Sequence, residues 1–389
     1  MYGSSVSVSI IAGIVVCLSS AVLMMAGLTK TVLIVERWDG KSKGRIMGRS
    51  TISDVALMAG VSEATVSRAL RGVDKVSDRT RQKVVKAAES LNFTLSKSAS
   101  ALASGKTKRV QLVVSGELKA WFNASVLQGI YEVLSPAGYD VIPAFIMDKS
   151  ELDSLFAKLP ANRNMDALIV ASFRFDVQLH DHMQKMGIPT IGLNSPSLDG
   201  FDASVGIDDA AGMKLGVQLL KSLGHQRIAF VCDYVPHDLF YSTTLRSDLF
   251  CRAALDAGYD EHSMMVVRAS EHGRGVSYEH LAAEVAAKIL ASPLRPTGVC
   301  VETDEFAVPL LKELRRQHIQ IPGDLSVIGF DDAYIAQVSD LTTVRQDPVE
   351  LGHKAAIKAL GLMRGETLEH PHESIAPELV LRETTGRPR

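Results

Sequence analysis

Two groups of residues in this chain have types and spacings that could do chemistry. The first is Glu63, Ala64, Ser67 and Arg68, at positions i, i+1, i+4 and i+5 of one segment. On a helix these share an open face, and a guanidinium there can donate two parallel hydrogen bonds to a guanine edge. The second group is dispersed: Trp121, Phe122, Ser172, Arg174, Phe240, Tyr241, Arg246, Thr303 and Asp331. Aromatic rings can stack on the apolar face of a sugar. Hydroxyl, guanidinium and carboxylate groups pair with hydroxyls in fixed directions. No HExxH, P-loop or GxSxG string is present. Cys17, Cys232, Cys251 and Cys300 form no CxxC pair and no metal spacing, so they are expected to be reduced and mostly in the core. His370 and His372 read as loop residues rather than ligands. The chemistry expected is binding, with no enzyme activity, no cofactor and no metal.

The first group needs a scaffold, and the flanking residues supply one. Thr51 precedes Asp54 by three positions, the pattern of a capped helix start. The spacing predicts a helix over 52–59, a tight turn at Gly60, and a second helix over 63–70 capped by Ser62. Val55, Ala56, Val61, Val66 and Leu70 are spaced to pack the two together. Gly72 ends the second helix. Ser77 caps a third over 78–91, with Val84, Val85, Ala88 and Leu91 on one face. Charge is distributed unevenly. Residues 47–109 carry 12 Lys and Arg against 5 Asp and Glu, while residues 110–389 carry 25 against 37. A small basic head on an acidic body is the footprint of a phosphate-binding module attached to something else.

The second group sits in a long alternation of apolar runs and helical patterns. Strand-like runs fall at 110–114, 139–145, 166–171, 188–193, 227–232, 264–267, 297–301 and 325–330. Helical stretches lie between them, as at 124–135, 210–223, 281–290 and 305–317. This order implies parallel α/β sheets with crossover helices, and two sets of strands suggest two similar lobes. Ligands of such sheets sit beyond the carboxyl ends of the strands, where the second group is expected.

The string TISDVALMAGVSEATVSRALRG at 51–72, continued by VSDRTRQKV at 76–84, closely resembles the head of the LacI/GalR family of transcriptional regulators. The resemblance extends over nearly all of 110–389. It is carried by SLGHQRIAF at 222–230, TDEF at 303–306, IPGDLSVIGFDD at 321–332, LTTVRQ at 341–346 and PELVLRETT at 377–385. It implies an all-α helix-turn-helix head and an α/β two-lobed, periplasmic-binding-protein-like (type I) sensor. The helix from Glu63 would lie in the major groove of an operator, with Glu63, Ala64 and Arg68 reading bases. Thr51, Ser62, Thr65 and Ser67 would meet phosphates or base edges. SKSASALASG at 96–105 would be a hinge that folds on DNA, and Leu102 the leucine that wedges open a central base step. The resemblance also implies lobe crossings near 205–208, near 336–341 and after about 364. Thr303 and Asp331 fall on effector-contacting positions, and the partners implied are double-stranded operator DNA, a small effector of carbohydrate type and a second copy of the chain.

The chain departs from the family pattern in two places. Leu95 and Ser96 stand where Pro and Asn are common. In the helix ending at 252–255, Ser247 and Phe250 stand where the family has Arg and Gly, so Arg246 would substitute or the pocket is remodelled.

The domains expected are an apolar extension at 1–46, a DNA-binding domain at 47–95, a hinge at 96–109 and an effector-binding and dimerisation domain at 110–389. Residues 1–29 carry no charged side chain. The expectation is that translation starts at Met47. The alternative is a membrane anchor whose following basic residues keep the rest in the cytoplasm. The leading function is a ligand-responsive repressor. The alternatives are a membrane-anchored solute-binding protein, which has no use for a DNA-reading head, and a regulator that uses a protein co-regulator.

Overall fold

The computed structural model describes residues 50–71, 76–93, 106–162, 164–234, 240–272 and 276–389. The expectations for the 1–46 extension, Gly72, the 96–105 hinge and Leu102 lie outside them. The chain divides into two compact units, Met1–Thr94 and Leu95–Arg389.

The first unit holds α1 (Ile52–Ala59), α2 (Glu63–Leu70) and α3 (Asp78–Ser90). Thr51 and Asp54 form a reciprocal capping box, with Thr51 N–H donating to the Asp54 carboxylate at 2.8 Å. Gly60 adopts φ +66° and its N–H bonds back to carbonyls of α1, which ends the helix. Ser62 and Ser77 cap α2 and α3 through the amides of Thr65 and Thr80. Val55, Ala56, Val66, Ala69, Val84, Ala87 and Ala88 form the core. Val85 was expected on that face and is instead exposed. One residue past Val84 the helix has turned about 100°, whereas Ala87 and Ala88 at i+3 and i+4 return to the buried stripe.

The second unit has two sheets. In the first lobe β1 (Arg109–Ser115), β2 (Asp140–Ile146), β3 (Ala167–Ala171), β4 (Thr190–Leu193), β5 (Ala203–Ile207) and β11 (His372–Ile375) order as β11-β5-β4-β3-β1-β2, all parallel. In the second, β6 (Ile228–Cys232), β7 (Met264–Arg268), β8 (Gly298–Val301), β9 (Ser326–Asp331), β10 (Thr342–Arg345) and β12 (Glu378–Val380) order as β12-β10-β9-β8-β6-β7, antiparallel only at β12. Helices cover both faces, so central strands such as β3 and β6 are buried at every residue and read as unbroken apolar runs.

Two lobe crossings differ from expectation. The first lies at Asp208, between β5 and α7 (Asp209–Leu223), as expected. The second is not at 336–341: Ala336 and Leu341 are buried in the second lobe's core, and β10 still pairs with β9. The chain crosses at Gln346 and Asp347, into α12 (Pro348–Met363), which packs on α4 (Trp121–Leu134) of the first lobe. It does not return directly after 364, because β11 first pairs with β5 and the crossing follows at 376–377. His372 is therefore a strand residue, its Nδ1 2.9 Å from Ser204 Oγ, rather than a loop residue. The α4–α12 contact is backbone against backbone: a Cβ on Gly129 would meet the Val349 carbonyl oxygen at 2.1 Å.

Candidate functional site

On the head, α2 presents Glu63, Ala64 and Arg68 to solvent, while Ser67 and Thr65 are half-buried. Thr65 Oγ1 lies 2.9 Å from Ser62 Oγ, so both hydroxyls are tied to the cap. Ser53 of α1 donates to the Glu63 carboxylate at 2.5 Å, fixing Glu63 against the neighbouring helix. Arg68 is exposed in the last turn with no hydrogen bond among the described residues. Burial of Val66 and Ala69 on the opposite side holds the open face outward. Thr51 is exposed at the start of α1, its hydroxyl donating to Asp54 at 2.8 Å.

In the second unit the carboxyl ends of strands from both sheets converge on a cavity of about 350 Å³. Phe122, Ser172, Tyr241, Arg246, Thr303 and Asp331 all line it. The lobes touch at its edge: Phe173 and Tyr241 form an antiparallel bridge, and Ser242 N–H donates to the Ser172 carbonyl at 2.9 Å. Ser172, Asn194 and Asp331 line the cavity with φ of +73°, +48° and +126°. Non-glycine residues held there store strain, which concentrates at functional sites.

Arg246 enters this site from α8 (Thr244–Asp256) and is 1% exposed. Its Nε donates to Asp209 at 2.8 Å, a terminal nitrogen donates to the Glu302 carbonyl, and another contact reaches Asp331 at 4.0 Å. The guanidinium lies 3.6 Å from the Phe330 ring centroid. Phe250, one helical turn on, is buried against Phe230 in the core, and Ser247 is buried too. Among the described residues, Arg246 is thus the arginine that lines the cleft.

Burial dominates the electrostatics. It pushes the Glu302 carboxyl up to about 8, with Asp233 adding repulsion. It pushes Asp331 up to about 7 against the opposing pull of Arg246. Asp304, beneath the cavity, is raised to about 8 by burial and by Asp331, although Thr343 and the Ala333 amide donate to it. Gln346 donates through Nε2 to Asp331 at 2.6 Å, and its Oε1 is buried without a hydrogen-bond partner.

Two expected effector residues are not part of this cavity. Trp121 opens α4 with its amide 3.4 Å from Glu305, and its side chain does not line the space. Arg174 is exposed and, with Phe240, borders a separate groove of the first lobe. Thr303 does line the cavity, but its hydroxyl also accepts from the Phe306 amide to cap α10 (Asp304–Arg316). Sequence reasoning missed Asn194, Asp233, Glu302 and Gln346. The signal was available: each is the first polar residue after a short strand, immediately past β4, β6, β8 and β10.

Residues 51–96 match the profile of bacterial regulatory proteins of the lacI family, and residues 217–385 match a periplasmic binding protein-like domain. The chain is 28% identical over 344 residues to the HTH-type transcriptional regulator GntR of Pseudomonas aeruginosa, covering 88% of this chain and 97% of that one. It is 27% identical over 338 residues to the HTH-type transcriptional repressor CytR of Escherichia coli (strain K12), covering 86% and 96%. Among solved structures, a transcriptional regulator CelR–cellobiose complex aligns with a TM-score of 0.61 at 26% identity, over 86% of this chain and 100% of that one. A lac repressor dimer bound to operator and an anti-inducer has the same fold, with a TM-score of 0.74 at 23% identity over 87% and 100%.

Proposed function

This chain belongs to the lacI family of bacterial regulatory proteins, and on that premise we propose that it is a repressor whose operator affinity is set by a carbohydrate bound between its lobes. It is a DNA-binding transcription regulator. The observation that carries the finer reading is the pairing of an exposed, capped reading face, Glu63, Ala64 and Arg68, with a strained and charged interlobe cavity in one chain.

The division of labour follows the elements. Residues 47–95 bind DNA, 96–109 form the hinge and 110–389 sense and dimerise. Glu63, Ala64 and Arg68 read bases. Thr51, Ser62, Thr65 and Ser67 position the head on phosphates, and Leu102 acts in the minor groove. Phe122, Ser172, Tyr241, Arg246, Thr303 and Asp331 hold the effector. The relative solved with cellobiose supports a sugar-sized ligand, and the lac repressor dimer on its operator supports a homodimer reading two half-sites. The site of action is the cytoplasm, where the operator is. A solute-binding receptor is not favoured.

An effector controls DNA affinity only if it prefers one arrangement of the lobes. Bridging Phe122 and Ser172 on one side with Arg246 and Asp331 on the other supplies that preference. The test is a titration of the full chain into its own upstream DNA at fixed salt, with and without a panel of sugars. Selective binding that one sugar weakens supports the reading. Absence of selective binding overturns it.

A further inference from the structure

The described walls of the cavity are unbalanced in ionisable groups. Asp233, Glu302, Glu305 and Asp331 line it, and the single cationic side chain among the described residues lining it is Arg246. That guanidinium is already committed to Asp209, to the Glu302 carbonyl and to the Phe330 ring. His272 pairs with Asp233 at 2.8 Å.

A second observation points the same way. Gln346 is 6% exposed, lines the cavity, and carries a buried Oε1 with no partner. Its Nε2 is spent on Asp331 at 2.6 Å, and the reversed amide would set two acceptor oxygens against each other. An unpaired buried acceptor is costly until a donor arrives. Among the described residues, the far end of the cleft therefore offers carboxyl groups that burial keeps largely protonated and an unsatisfied acceptor, with no uncommitted cationic side chain.

We propose that the effector is a small cationic polyol of the amino-sugar class, its ammonium group lodged among Glu302, Asp331 and Gln346. This deepens the effector-binding reading and rests on it. An ammonium supplies three donors and no acceptor, so it satisfies Gln346 Oε1 and the carboxylates together. Hydrogen bonds between ionised partners are about twice as strong as neutral ones. A neutral sugar can satisfy the acceptors but brings no positive charge to offset the burial that keeps Glu302 and Asp331 protonated. An acidic sugar adds a carboxylate to a site that already strains to hold its own.

The test uses matched triplets with the full chain: glucosamine, glucose and glucuronate, with the galacto and manno series, by calorimetry and by release of upstream DNA. One amine is expected to bind about tenfold or more tighter than its neutral partner, a difference of roughly 1.4 kcal/mol, with no binding of the uronates. Glu302→Gln is expected to reduce that amine-to-neutral ratio by about tenfold, and retained DNA binding reports that the variant is folded. If a neutral or acidic member binds as tightly as its amine and releases DNA, the effector reading stands and the amine assignment falls. If no member of any triplet binds while the chain still binds its DNA selectively, both fall.

Discussion

Arg246 and Asp209 form a 2.8 Å ion pair in which the arginine side chain is 1% exposed and the carboxylate side chain 11%. Asp209 opens α7, the first helix after the chain enters the second lobe, and Arg246 comes from α8. The pair holds the arginine's remaining donors over the cleft. Removing one partner strands the other: Arg246→Ala leaves Asp209 as an uncompensated buried charge. The expected cost is about 3–5 kcal/mol, read as a lower midpoint in chemical denaturation. Arg246→Lys is expected to restore little, because an ammonium cannot reproduce the forked geometry. A variant of unchanged stability would contradict the assignment.

Stability should fall with rising pH between about 5 and 8. Glu302, Asp304 and Asp331 are raised from the ordinary carboxylate range to about 8, about 8 and about 7. In that window the native state holds protons that the unfolded chain has released. The unfolding free energy therefore declines as pH climbs, and levels off above about 8. His353, raised by Glu132, acts in the same sense, while buried His225 acts in the opposite one. The ligand-free protein should melt higher at pH 6 than at pH 8.5, and Glu302→Gln should flatten the slope. A melting temperature that rises toward pH 8.5 would contradict this.

Arg68→Ala is expected to weaken operator binding by about 1–3 kcal/mol and to relax selectivity at one base position. Competition binding against operators substituted base by base distinguishes this from loss of a phosphate contact, which would lower affinity evenly for every sequence.

The caps of the head are testable separately. Thr51→Ala removes the capping box that starts α1 and should destabilise the head by about 1 kcal/mol. Thermal unfolding followed on the head should show it, with the melting of the sensor unchanged. A shift in both would mean that the two units do not unfold independently.

Gly129 permits α4 and α12 to approach backbone to backbone. Gly129→Ala places a Cβ 2.1 Å from the Val349 carbonyl and forces the helices apart. The expected cost is about 1–3 kcal/mol. α12 joins the first lobe directly after β10 of the second, so effector affinity should drop as well. Calorimetry on the folded variant checks this.

Much of this protein was legible in the residues alone. The caps at Thr51, Ser62 and Ser77, the turn at Gly60 and the buried runs of the strands depend on interactions a few residues apart, so local sequence specifies them. The open face of Glu63, Ala64 and Arg68 follows from helix period. Val85 was misread because it is apolar, and apolarity does not decide which side of a turn a residue occupies. The tertiary structure decided the rest. β11 and β12 are too short to announce themselves and exist through pairing with β5 and β10, and the lobe crossings move with them. The cleft showed the same limit. Arg246, Phe122 and Asp331 came together as expected, but Trp121 and Arg174 turned elsewhere, and Glu302 and Gln346 entered the site from strands more than 40 residues apart in sequence. Charge imbalance and an unpaired oxygen are properties of neighbours in space, and only the folded chain sets those neighbours.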